Sequence, residues 1–85
     1  MPTRTVTVGS AVGLHARPAA LIAAAASEYD ADITLAKPGE EPVDAASALL
    51  IMTLGAQQGD TVEVAGEDPA AIDAIADLIA RDLDA

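Results

Sequence analysis

Gly13-Leu14-His15-Ala16-Arg17-Pro18, followed without a break by Ala19-Ala20-Leu21-Ile22-Ala23-Ala24-Ala25-Ala26, is the stretch on which the reading of this chain turns. The alanine-rich run has high helix propensity. Pro18 fits a first helical turn, where its missing N–H takes nothing from the helix. The spacing predicts a helix from about Ala16 to Ser27 that turns Ile22, Ala26 and Tyr29 inward. His15 then sits at or just before the helix start, beside backbone N–H groups without an intrahelical partner and at the positive end of the helix dipole.

His15 is the single histidine of the chain, and histidine is the one side chain that ordinarily titrates near neutrality, so it is the ready nitrogen nucleophile or proton shuttle. A ring nitrogen at the helix start, with Arg17 two residues on, is placed to attack an electrophile. The same N–H groups and guanidinium would cradle an anion carried on that nitrogen. The chemistry points to a phosphorylatable histidine. The plainer alternative is a capping or surface histidine, which a lone His near a helix start more often is.

Outward from this stretch the chain alternates strands and helices. Thr3-Arg4-Thr5-Val6-Thr7-Val8 has the period-two pattern of a half-buried strand, with Val6 and Val8 on one face. Gly9 to Gly13 breaks it and delivers the chain to His15. Ile33 and Leu35 alternate with Asp32 and Thr34 as a second strand, and Lys37-Pro38-Gly39-Glu40 is a turn leading into a short third strand around Glu41 to Val43. Ser47 to Leu54 reads as a two-turn helix with Ser47 as N-cap and Gly55 as its stop. Thr61-Val62-Glu63-Val64 is the fourth strand. Asp68-Pro69 opens a last helix with Ile72, Ile75, Ile79 and Leu83 on one stripe. The order βαββαβα suits an α+β open-faced sandwich, a four-stranded antiparallel sheet with three helices on one face.

Eighty-five residues allow one domain, 1–85, with one modest core. Without cysteine there is neither a disulfide framework nor a thiolate metal site, and one histidine among scattered carboxylates is a poor zinc set, so no metal and no cofactor are expected. A net charge of -10, fourteen acids against four bases, argues against nucleic acid and against anionic membranes as partners. No leader-like segment and no run long enough to span a bilayer is present, so the chain reads as a soluble, cytoplasmic protein without membrane insertion, and as a monomer.

Val43 to Met52 carries more apolar surface than a two-turn helix can hide. Either the short helix is wedged into the core or part of it faces a partner, and the sequence leaves both readings open.

The hexapeptide Gly13-Leu14-His15-Ala16-Arg17-Pro18, the length, the element order and a second motif around Ser47 together resemble the HPr family, the histidine-containing phosphocarriers of the phosphoenolpyruvate-dependent sugar phosphotransferase system. The resemblance implies that His15 is phosphorylated through Nδ1 by the phosphohistidine of Enzyme I and passes the phosphoryl group to the A domain of a sugar permease. It also implies that Arg17 steadies the phosphoryl oxygens while the N–H groups of Ala16 and Arg17 accept the resting phosphate, and that the carrier does not turn over alone. It places Ala48, Leu49 and Met52 in the docking surface and makes Ser47, besides an N-cap, the counterpart of a serine that a dedicated kinase phosphorylates in some members of the family. Departures from the family pattern lie at Ala46, where a basic residue often precedes the serine, and at Leu50, where glycine or lysine is often found. The turn before Ser47 is one residue longer, and the first helix offers Ala24 and Ser27 with no base beyond Arg17, so docking should rest on shape and apolar contact. A regulatory phosphoprotein of the same fold, signalling carbon or nitrogen state, is the alternative. An acyl carrier, also small and acidic, is all helical and is disfavoured by the strands. An independent hydrolase lacks a nucleophile–base pair.

Overall fold

The computed structural model describes residues 2–11 and 13–81. Seven elements follow one another: β1 (Thr3–Thr7), α1 (Ala16–Ser27), β2 (Ile33–Ala36), β3 (Val43–Asp44), α2 (Ala48–Thr53), β4 (Thr61–Gly66) and α3 (Pro69–Ala80). The strands form one antiparallel sheet in the order β1-β4-β2-β3. With three helices against one face, this is the expected open-faced sandwich.

The alternation along β4 sets the core side, since Val62, Val64 and Gly66 are buried and the residues between them are not. Ile33 and Leu35 of β2, Ile22 of α1, Ile51 of α2 and Ile72, Ile75 and Ile79 of α3 join Val62 and Val64 in one apolar cluster. Each such side chain contributes about 1.5–3 kcal/mol by leaving water. In α1 the inward face is made of Pro18, Ala19, Ile22, Ala23 and Ala26, so small side chains bring this helix close to its neighbours. Tyr29, expected on that stripe, packs on the edge of the core and is half-buried. Leu83 lies outside the described residues.

Two strands differ from the sequence expectation. β3 is shifted to Val43–Asp44 and pairs only through Thr34 with Asp44 and Leu35 with Val43. Pro42 has no N–H to give a ladder, and the Asp44 carboxylate turns the chain into α2 by accepting from the Ala46 N–H at 2.9 Å. β4 runs on to Gly66 because it is paired on both sides, Ala65 with Thr3 and Thr34 and Gly66 with Ile33.

Candidate functional site

His15 is the N-cap of α1, with extended backbone (φ -88°, ψ -164°) and no capping hydrogen bond from its side chain. The first intrahelical bond runs from the Ala19 N–H to the His15 carbonyl at 2.9 Å, so the N–H groups of Ala16 and Arg17 precede the helical ladder. His15, Ala16 and Arg17 are exposed, and they are held between two buried residues, Leu14 and Pro18. The Leu14 N–H donates to the Ala56 carbonyl at 2.9 Å, which ties this corner to the chain leaving α2. The sequence thus puts an imidazole and a guanidinium in water on a rigid footing.

α2 begins as its sequence predicts. The Ser47 hydroxyl accepts from the Leu50 N–H at 3.3 Å, and the helix stops at Gly55, whose φ of +64° favours glycine. Ile51 is fully buried and anchors the helix. On its outer side Leu49 is 69% exposed and Met52 36%, while Ala48 is half-buried. Leu50 (40%) and, on α1, Leu21 (44%) are exposed apolar side chains beyond the expected residues. Adjacent leucines on a six-residue helix cannot both face the core, a signal that could have identified Leu50. Leu21 is masked in the sequence by alanines all around the wheel.

His15 and Met52 line one shallow depression of about 230 Å³ together with Leu14, Gly55, Ala56 and Gln57. Ser47 is not among its walls. A larger depression of about 560 Å³ lies at the other end of α1, where Asp30, Asp32, Asp44 and Glu67 contribute to its lining. Four carboxylates there would repel an anion such as a phosphoryl group, whereas no carboxylate lines the smaller depression. On α1 and α2 the single charged residue is Arg17. Arg4 is engaged with Asp73 and Asp77, and Lys37 with Glu40 and Asp60. Among the described residues no group of three His, Asp or Glu could hold a metal ion, and no helix is long and apolar enough to cross a membrane.

The chain is similar to known proteins in sequence and in fold. The chain is 41% identical to a phosphocarrier protein HPr of Streptomyces coelicolor, over 99% of this chain and 94% of the relative. It is 42% identical to a phosphocarrier protein NPr of Shewanella violacea, over 89% and 86%. The crystal structure of a phosphocarrier protein HPr from Bacillus anthracis superposes with a TM-score of 0.84 at 33% identity, covering 92% of this chain and 95% of that one. The family model described as the PTS HPr component phosphorylation site matches residues 2–81. With that family model matching nearly the whole chain and relatives of this identity and coverage on the same fold, the chain is a member of the HPr family, the phosphoryl carriers of the sugar phosphotransferase system.

Proposed function

We propose that His15 is the residue that carries the phosphoryl group, received from the phosphohistidine of Enzyme I and given to the A domain of a sugar permease. The observation that carries this reading is the exposed His15 at the start of α1, its ring not used as a cap and the helix's first N–H groups beside it. One phosphoramidate N–P bond forms on His15 as another breaks on the donor, so the transfer needs positioning and charge stabilisation more than a strong base or a metal. Arg17 supplies a planar fork for the phosphoryl oxygens in flight, and the N–H groups of Ala16 and Arg17 hold the resting phosphate. The chain acts as a single-domain monomer in the cytoplasm and does not turn over alone.

Partners dock on the uncharged surface made by Ala48, Leu49 and Met52 with Leu50 and Leu21 beside them, through shape and apolar contact. A serine kinase acting on Ser47 would place a phosphate at the start of α2, next to that surface. Comparable identity to an HPr and to an NPr supports a second reading, in which a control protein reads the phosphorylation state of the same histidine.

The test is incubation with Enzyme I and labelled phosphoenolpyruvate. One label per chain is expected, acid-labile and alkali-stable as a phosphoramidate is, and absent from His15→Ala. Label that survives in His15→Ala, or that resists acid, would mean an oxygen nucleophile.

A further inference from the structure

We propose that Gly13 is a positioning residue for phosphoryl transfer: by bringing the Leu14 N–H onto the Ala56 carbonyl it fixes His15 relative to the docking surface of α2. This rests on His15 being the phosphoryl acceptor.

The reacting nitrogen and most of the docking residues belong to different elements. His15 stands on α1, Leu49 and Met52 on α2, and a donor seated on α2 meets a correctly placed ring only if the two are held in fixed relation. Besides the packing of α1 on α2, a short backbone contact joins the segments that flank them. The Leu14 N–H reaches the Ala56 carbonyl at 2.9 Å, one residue from His15 on one side and one residue from Gly55 on the other. Leu14 is buried, so the bond is sheltered from water. Upstream, the Gly13 N–H donates to the Ser10 carbonyl at 3.0 Å, a second backbone tie beside Leu14.

Gly13 makes this approach possible in two ways. Its φ of +78° lies in the left-handed region that favours glycine. A Cβ at this position would also stand 2.4 Å from the Ala56 oxygen and 3.0 Å from the Gln57 Cα. Neither neighbour is the end of a flexible side chain. A methyl group there must push two backbone segments apart, and the displacement passes to Leu14 and His15. Misplacing a reacting atom by about 1 Å costs on the order of a hundredfold in rate. Gly39 supplies the comparison, since its φ is +81° and a Cβ there meets nothing within 4 Å. It stands in the turn between β2 and β3. Gly39→Ala therefore carries the same backbone strain without the collision.

The experiment measures kcat and KM for this chain as phosphoryl acceptor from Enzyme I, for wild type, Gly13→Ala, Gly39→Ala and His15→Ala. Gly13→Ala is expected to lower kcat tenfold or more with KM within twofold of wild type, because the apolar docking residues are untouched. Gly39→Ala is expected to keep both constants. A Gly13→Ala variant whose kcat matches that of Gly39→Ala, with His15→Ala inactive, overturns this inference alone. So does a rise in KM with kcat unchanged, which would make Gly13 part of the docking surface only. Transfer to His15→Ala would instead overturn the assignment of the nucleophile and this inference with it. Should Gly13→Ala not fold, Ala56→Gly loosens the same carbonyl from the other side. It is expected to lower kcat threefold or more at constant KM, and an unchanged kcat overturns the inference.

Discussion

α1 and α3 are each twelve residues long and bury their inner faces in the same core, yet their outer faces and starts are finished differently. α3 begins with Asp68, whose carboxylate accepts from the Ala70 N–H at 3.0 Å, and Pro69 fills the first helical position. Its outer residues Asp73 and Asp77 are exposed and meet Arg4 of β1 at 3.4 and 3.2 Å. α1 begins with a histidine that makes no side-chain cap, and beyond Arg17 its outer face, with Ala20, Leu21 and Ala24, bears no charge. A side-chain cap is worth about 1 kcal/mol, and exposed ion pairs add roughly 0–1 kcal/mol. α3 is capped and paired by the chain's own side chains, whereas α1 has no side-chain cap and an outer face uncharged beyond Arg17, the features on which the proposed carrier role rests. The difference separates a helix finished for stability from one on which a partner is proposed to dock.

The largest effect that would sharpen this contrast is expected from His15→Ser. Serine can make the cap that histidine does not, so labelling by Enzyme I should vanish while unfolding free energy rises by about 1 kcal/mol in urea titration. Unchanged stability would show that the start of α1 is already satisfied and would remove half of the comparison. Next is Leu49→Asp, which puts a charge on the outer face of α2 where the side chain already meets water in the free protein. KM for transfer from Enzyme I should rise about tenfold, equivalent to roughly 1.4 kcal/mol of docking, with the thermal midpoint close to wild type. A chain that no longer folds would place Leu49 in the core. The smallest effects are expected at Ser47. Ser47→Ala should cost about 1 kcal/mol of stability and keep transfer, because only the cap is lost. Ser47→Asp should keep the cap and slow transfer about threefold by setting charge beside the docking surface. Equal transfer rates for Ser47→Asp and wild type would make the serine a cap and nothing more.

What could be read from the sequence follows from how local each signal is. The bounds of α1 were legible at both ends, because Pro18 and the alanine run act within a few residues of one another. Asp68-Pro69 announced α3 for the same reason. The sequence puts β3 around Glu41–Val43, starting two residues early, because alternation in so short a run is weak, while the deciding facts are the missing N–H of Pro42 and the turn held by Asp44. Ala65 and Gly66 have little strand propensity of their own and are strand only because β1 and β2 pair with them from either side, a long-range fact. At the site, His15 and Arg17 stood out by residue type and spacing. The nearness of Met52 and Gln57 to His15 depends on the return of the chain after α2, which no local pattern encodes.

The sheet order β1-β4-β2-β3 has a bearing on how the protein is made. Until Thr61–Gly66 emerges from the ribosome, β1 has no neighbour, and β2 has only the two paired residues of β3. A pairing that small does not persist in water by itself. Ile22, Leu35 and Ile51, all fully buried at the end, therefore wait without a core through most of translation, a period in which nascent chains are prone to association. Completion is correspondingly abrupt, because one late strand joins both halves of the sheet. A chain interrupted before that strand lacks the two central pairings of the sheet against which α1 and the Leu14–Ala56 hydrogen bond are held in the finished fold.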